Sequence, residues 1–210
     1  MPPFNPIGDA GRTLRSLLLE EMSTWGVGEE QVALTSPEGF EPDEAGLSIH
    51  LYRLVENEHL SNRPPTTGDR AADASLVLEL SYLVTAHPPS GETVDTTETL
   101  EQHRLLSKAI RTLEEYAVVR PPNLLGALAD GPPIHVTMDA ADDARVMDVW
   151  GTFNDTPYLP SISYRVTPVV IEAEPLEPAP RVVETTMEYL EGSKTGDHDG
   201  GSDDRATEQP

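Results

Sequence analysis

The side chains able to do chemistry are few and dispersed. His50 and His135 fall in the middle of extended, alternating segments, and His103 lies within a helical repeat beside an apolar stripe. An imidazole in such places packs or faces solvent rather than serving as base or ligand. Asp139, Asp142, Asp143 and Asp148 gather around the start of a short helix, where negative charge complements the positive helix end. Asp197, Asp199, Asp203 and Glu208 imitate a calcium loop, but the turn glycine is misplaced and no helical pattern flanks them. The nucleophile elbow, the His-Glu-x-x-His pair, the phosphate loop and the dinucleotide glycine pattern are all missing. The chain has no cysteine, which removes disulfides, thiolate metal sites and thiol nucleophiles. One polar group stands out, Asn62-Arg63-Pro64-Pro65. An arginine in an acidic chain can grip a carboxylate with two parallel hydrogen bonds, within its own domain or across a subunit boundary; the same residues also suit a plain turn. Nothing assembles into a reaction centre, so the residues predict a binding or structural protein with no enzymatic activity, cofactor or bound metal.

The elements that carry these residues are read from periodicity. Residues 9–24 predict a helix, with Asp9 as its N-cap and Leu14, Leu17, Leu18 and Met22 on one face; Gly26 and Gly28 end it. A short strand is expected over 31–35, ahead of the Ser36-Pro37-Glu38-Gly39 turn. Residues 47–55 and 76–86 alternate with apolar side chains on both faces, as inner strands do. In the second of them Leu76, Leu78, Leu80, Tyr82 and Val84 point inward. A polar loop over 56–74 joins the two and is long enough to be a functional excursion. The longest helix is expected over 97–116, with Leu100, Leu106, Ala109, Ile110 and Leu113 as its apolar stripe and Leu105 beside it. An irregular stretch over 118–128, a short strand over 134–138 and a short helix over 141–150 follow. The last strand is expected over 161–173, with Ile162, Tyr164 and Val166 in phase and Pro168 marking a bulge or an edge. The fold class is thus α/β (α+β), a mixed sheet flanked by helices, in one domain over residues 7–172. From 173 to 210 the composition turns to Pro, Glu, Thr, Gly, Ser and Asp, which predicts an acidic disordered tail.

Charge narrows the partners. The 210 residues carry 37 acids against 14 bases, a formal net charge of −23, and only two of the bases are lysines, Lys108 and Lys194. Such a chain repels phosphate backbones and anionic lipid, so neither nucleic acid nor a membrane is an expected partner. No stretch approaches the roughly 20 apolar residues that span a bilayer, and the N-terminus lacks the pattern of a secretory signal. Acids are spread along the chain, 27 of them within residues 1–172, whereas a mimic of DNA would concentrate them on one face. A uniformly acidic, lysine-poor surface is what selection in concentrated salt produces, where the Debye length falls to about 3 Å at 1 M. The expected source is halophilic and archaeal.

Taken in order, the segments have a counterpart. They are RTLRSLLLEEM (12–22), LSIHLYRLVENEHLSNRPP (47–65), LELSYLVTAH (78–87), HRLLSKAIRTLEEY (103–116), IHVTM (134–138), the short helix ending at Trp150, and TPYLPSISYRVTPVVIE (156–172). This succession resembles the N-terminal domain of the cap, or tail-terminator, proteins of phage-tail-like contractile injection particles, a family that includes the caps of the Photorhabdus virulence cassettes and the antifeeding prophage. The resemblance implies a structural protein that forms a homohexameric ring on the last layer of inner tube and contractile sheath and stops their growth. It implies sheath and inner-tube proteins as partners, assembly in the cytoplasm, and a particle that can be released from the cell. Exposed strand edges are the usual means by which such polymers add subunits. The expectation is that Ser161–Ile171, made edge-like by Pro168, pairs with a sheath arm through Tyr164, Arg165, Val166, Pro168 and Val170. Asn62, Arg63 and Pro64 are expected at a subunit or tube contact. The alternative is an acidic adaptor or scaffold that binds another protein through its tail.

Overall fold

Two long alternating segments form the middle of the molecule. The structure, a computed structural model, describes residues 4–57, 76–90, 94–139, 143–153 and 156–172. Most of the 56–74 loop, with Asn62, Arg63 and Pro64, and the tail from 173 lie outside the described residues. Among those described, six strands make one sheet: β1 (Val32–Ala33), β2 (Gly46–Glu56), β3 (Leu76–His87), β4 (Val118–Val119), β5 (Ile134–Met138) and β6 (Ser161–Ile171). Their order is β1-β2-β3-β6-β5-β4. β1 runs parallel to β2 and the other pairs are antiparallel, so the sheet is mixed, as expected. Three helices accompany it: α1 (Pro6–Ser23), α2 (Thr96–Glu115) and α3 (Asp143–Trp150).

One face of the sheet is apolar. Leu47 and Ile49 of β2, Leu80, Tyr82 and Val84 of β3, Tyr164 and Val166 of β6, and Ile134 and Val136 of β5 are all buried there with Leu14, Leu17, Leu18 and Met22 of α1. Each fully buried leucine contributes about 2 kcal/mol relative to an exposed one. Leu76 belongs to the same alternation but lies at the strand's end and is exposed.

Two details of the helices differ from the sequence reading. Asp9 is not the N-cap of α1. Asn5 is, its side-chain oxygen accepting from Gly8 N at 3.0 Å, with Pro6 opening the helix. Asp9 is buried one turn in, where its carboxylate accepts the Ala127 amide at 2.7 Å and pairs with Arg12. It thereby ties α1 to the loop around Gly126, whose φ of 59° and closeness to that carboxylate leave no room for a side chain. The buried stripe of α2 also turns out rotated: Gln102, Leu105, Lys108, Ala109, Thr112 and Leu113 are buried, while Leu100 is 61% exposed. The cause is polar. Gln102 donates to the Ala86 carbonyl near the end of β3 at 2.6 Å, and a carbonyl buried there demands a donor. Asp95 and Glu98 close the start of α2 with reciprocal side-chain hydrogen bonds.

The other face is a ladder of hydroxyls. Tyr52 meets Ser163 at 2.8 Å, Thr85 meets Ser161 at 2.9 Å and Ser48 meets His87 Nε2 at 2.8 Å. α3 and the residues after it cover part of this face, with Phe153 edge-on to both Trp150 and His50. His103 and His135 are exposed, and burial lowers the pKa of half-buried His50.

His87 gives this face a pH dependence. It is 3% exposed, and burial pulls its pKa down from 6.5 to about 4. Between those values the unfolded chain binds a proton that the folded chain refuses. Its contribution is therefore full above pH 6.5 and falls as the pH drops toward 4, by about 3 kcal/mol in all. Denaturant unfolding at fixed salt from about pH 7 to about pH 4.5 should show this decline, and His87→Gln should flatten it.

Candidate assembly interface

Ser161–Ile171 is not the edge that Pro168 suggested. It is an inner strand, with β3 along one side from Ser161 to Ile171 and β5 along the other from Tyr164 to Thr167. Pro168 sits just past the last β5 pairing, so its missing N–H interrupts no ladder on that side. Toward β3 it forms the bulge that was the other reading of this proline: Thr167 and Pro168 together oppose Glu79, between the pairs Leu78↔Val169 and Leu80↔Val166. The extra residue shifts the alternation, which lets Val169 follow Val166 onto the apolar face.

The expected contact residues on β6 divide accordingly. Tyr164 and Val166 are fully buried in the core and cannot touch a partner. The Tyr164 hydroxyl finds no hydrogen-bond partner among the described residues, and burial raises its pKa. Arg165 faces the hydroxyl side and is engaged within the chain. Its Nη2 donates to Asp139 Oδ2 at 2.9 Å, and its Nε lies 3.4 Å from Glu79 Oε1. Pro168 and Val170 are half-buried, on the stretch that has no strand neighbour on the β5 side among the described residues. Of the acidic cluster, Asp139 is thus a partner of Arg165, Asp148 is exposed, Asp142 lies outside the described residues, and of Asp143 only its place in the helix is described.

The open edge is elsewhere. β1 covers β2 only at Leu47 and Ser48, because Ser36 and Pro37 turn the chain away after Leu34 and Thr35. Past that point, residues 50–56 have no paired residue on their outer side among the described residues. A groove of about 270 Å³ runs beside this edge, lined by Ile49, Leu51, Leu34, Tyr82, Gly8 and Gly11. The absence of a side chain at Gly11 keeps α1 low over the groove: a Cβ there would lie 3.2 Å from Leu34 and 3.5 Å from the Tyr82 hydroxyl. Leu34 and Leu54 are exposed beside it, at 42% and 45%. An unpaired strand edge next to an apolar groove is a receptor for an extended peptide, with backbone hydrogen bonds holding the strand and alternate side chains filling the groove. The sheet's opposite edge is blunt. β4 has two residues, Pro121 and Pro122 follow within three positions, and the Val136 amide is already bonded to Ala117. Sequence reasoning missed the β2 edge because it depends on where β1 stops. The signal that could have found it is Ser36-Pro37, which limits β1 to a few residues.

With this geometry in view, similarity to other proteins can be set beside it. A family model described as the Pvc16 N-terminal domain matches residues 9–185. Among solved structures the chain is similar to the sheath/tube terminator, in its extended state, of an extracellular contractile injection system, PVC, with a TM-score of 0.53 and 15% identity over 89% of this chain and 65% of that one. It is also similar to the tube-terminating cap of the anti-feeding prophage, AFP, with a TM-score of 0.51 and 16% identity over 86% of this chain and 61% of the other. At such identities the likeness is one of fold, and this chain spans less than two thirds of either protein. No curated sequence matches it.

Since Arg165 ties β6 to both neighbours, Arg165→Ala should lower the stability of the isolated chain by about 1–2 kcal/mol, a modest figure because the guanidinium is partly solvated. Urea unfolding in the absence of any partner checks this. An unchanged midpoint would mean that Arg165 is free to act at a contact.

Proposed function

The chain belongs to the Pvc16 N-terminal domain family, and we propose on that premise that it is a cap ending the inner tube and contractile sheath of a phage-tail-like injection particle. Residues 7–172 are the cap domain and 173–210 an acidic tail. Six copies form the ring, sheath and tube subunits are its partners, and the work involves no bond-making. The observation that carries this reading is the unequal pair of sheet edges. A growing tube or sheath is an open stack, and each finished layer presents unfilled surface to the next. A terminator must occupy that surface on one side and present nothing pairable on the other. The open β2 edge with its groove suits the first task, and the two-residue β4 edge suits the second. The arriving strand is an extended arm of a sheath subunit. Asn62, Arg63 and Pro64 belong to the contact with a neighbouring subunit or the tube. Pro168 and Val170 line the free stretch of β6.

Electron microscopy of particles assembled with and without the chain tests the proposal. Its absence should give overlong or ragged tubes, and normal ends would exclude a cap. Leu34→Lys with Leu54→Lys places charge beside the open β2 edge at two exposed positions outside the core cluster, and should leave a folded chain that no longer joins particles.

The composition belongs to the same reading. A ring of chains each carrying −23 holds together only when self-repulsion is screened, as it would be in a halophilic archaeon. Below roughly 0.5 M salt, where screening weakens, the melting temperature should fall and rings should dissociate. A melting temperature indifferent to salt would remove the halophile assignment.

A further inference from the structure

At the end of α1 opposite to Gly8 and Gly11, the turn after the helix lifts Trp25 to the surface, where it is 50% exposed. Gly26, with a φ of 82°, makes that turn. Beneath the indole lies Lys108 of α2, 4.0 Å from Nζ to the ring centroid and only 7% exposed, and Arg104 approaches the same ring at 5.9 Å. Lys108 borders a cavity of about 110 Å³ that it shares with Trp25, Thr112 and Met22, large enough for one side-chain carboxylate.

The charges around this cavity are almost all spoken for. Arg111 is bonded to Glu115 at 2.8 Å, Arg104 to Glu101 at 3.2 Å, and Glu21 accepts the Tyr116 hydroxyl at 3.3 Å. Lys108 is the exception: among the described residues it makes no ion pair, its close contact is the face of the indole, and Glu101, already bonded to Arg104, attracts it only from a distance. A cation withdrawn from water without an anion is unfavourable, and burial, followed by the repulsion of Arg104, lowers the ammonium's pKa. A half-exposed tryptophan over a buried cation is also the composition of an interface hot spot, where aromatic and basic residues anchor a partner.

We infer that this socket of Lys108 and Trp25 receives an acidic side chain from the neighbouring copy of the chain in the ring. The occupant follows from charge: in a ring of identical subunits the approaching surface is this chain's own, with 37 acids to 14 bases, and head-to-tail contact brings a different surface of each copy to the next. The inference rests on the cap reading, since it presupposes the ring.

A carbodiimide, which couples an amine to a carboxylate in contact, provides the test on particles assembled from an equal mixture of isotopically heavy and light chains. The chain has only two lysines, so a heavy–light peptide pair through Lys108 is unambiguous and supports the inference. A Lys108 pair with sheath or tube protein, a pair within one chain only, or no Lys108 pair in assembled rings overturns it. In parallel, Trp25→Ala and Lys108→Met should each reduce ring occupancy about tenfold with melting temperatures near the parent's; unchanged occupancy also overturns it. If the parent chain forms no ring on particles, the cap reading falls first and this inference with it. That outcome is seen before any variant is made.

Discussion

A sheet has to end, and every strand at its end exposes amides and carbonyls that will pair with whatever arrives. That constraint governs this molecule. β3 is enclosed by neighbours on both sides, and β6 by β3 along its length and by β5 from Tyr164 to Thr167, so these two strands carry the core. β2 is enclosed on one side and left open beyond Ser48 on the other. β4, at the far margin, is too short to template anything. One chain thus presents a receptive edge and an inert one, and the difference comes from two interruptions in sequence: Ser36-Pro37 cutting β1 short and Pro121-Pro122 cutting β4 short.

What keeps such a sheet in register is the opposition of its two faces. Sliding β3 by one residue against β6 would exchange Tyr82 and Val84 for Ser81 and Thr85 in the core, because side chains alternate with period two. The hydroxyl ladder resists such slips from the other side: Thr85–Ser161 fixes β3 against β6, Ser48–His87 fixes β2 against β3, and Tyr52–Ser163 fixes β2 against β6. The bulge at Thr167 and Pro168 belongs to this logic. It resets the phase so that Val169 stays on the apolar side where strict alternation from Val166 would have placed Pro168.

Much of this was legible in the sequence because it is local. The long strands, the helices and the inward phase of Ile162, Tyr164 and Val166 follow from periodicity. The reading failed where a residue answers to a distant one. Leu100 looked like part of the α2 stripe, but the Ala86 carbonyl draws Gln102 inward and turns the helix. Asp9 looked like a cap until the Ala127 amide is seen to need it. Pro168 was read as the mark of a bulge or an edge, and only the bulge is found, because edges are decided by strand order, and strand order is a property of the whole sheet. The same holds for Trp25 and Lys108, which only the packing of α1 against α2 brings together.

Strong negative charge opposes close contact between copies of such a chain, and the described bases show where the fold places its positive charge. Arg12, Arg104, Arg111 and Arg165 are each committed to a carboxylate of the same chain, and Arg15 to the carbonyls of Glu29 and Val32. Positive charge is therefore spent mostly on holding the monomer together. The surface is left acidic, which favours solubility and opposes random contact. Under that general repulsion, two places offer a force of another kind: the unpaired backbone of β2, which is indifferent to charge, and a cation held beneath an indole. A chain of this composition need not suppress every unwanted contact individually, because repulsion excludes most of them, and the few surfaces exempt from it determine what it joins.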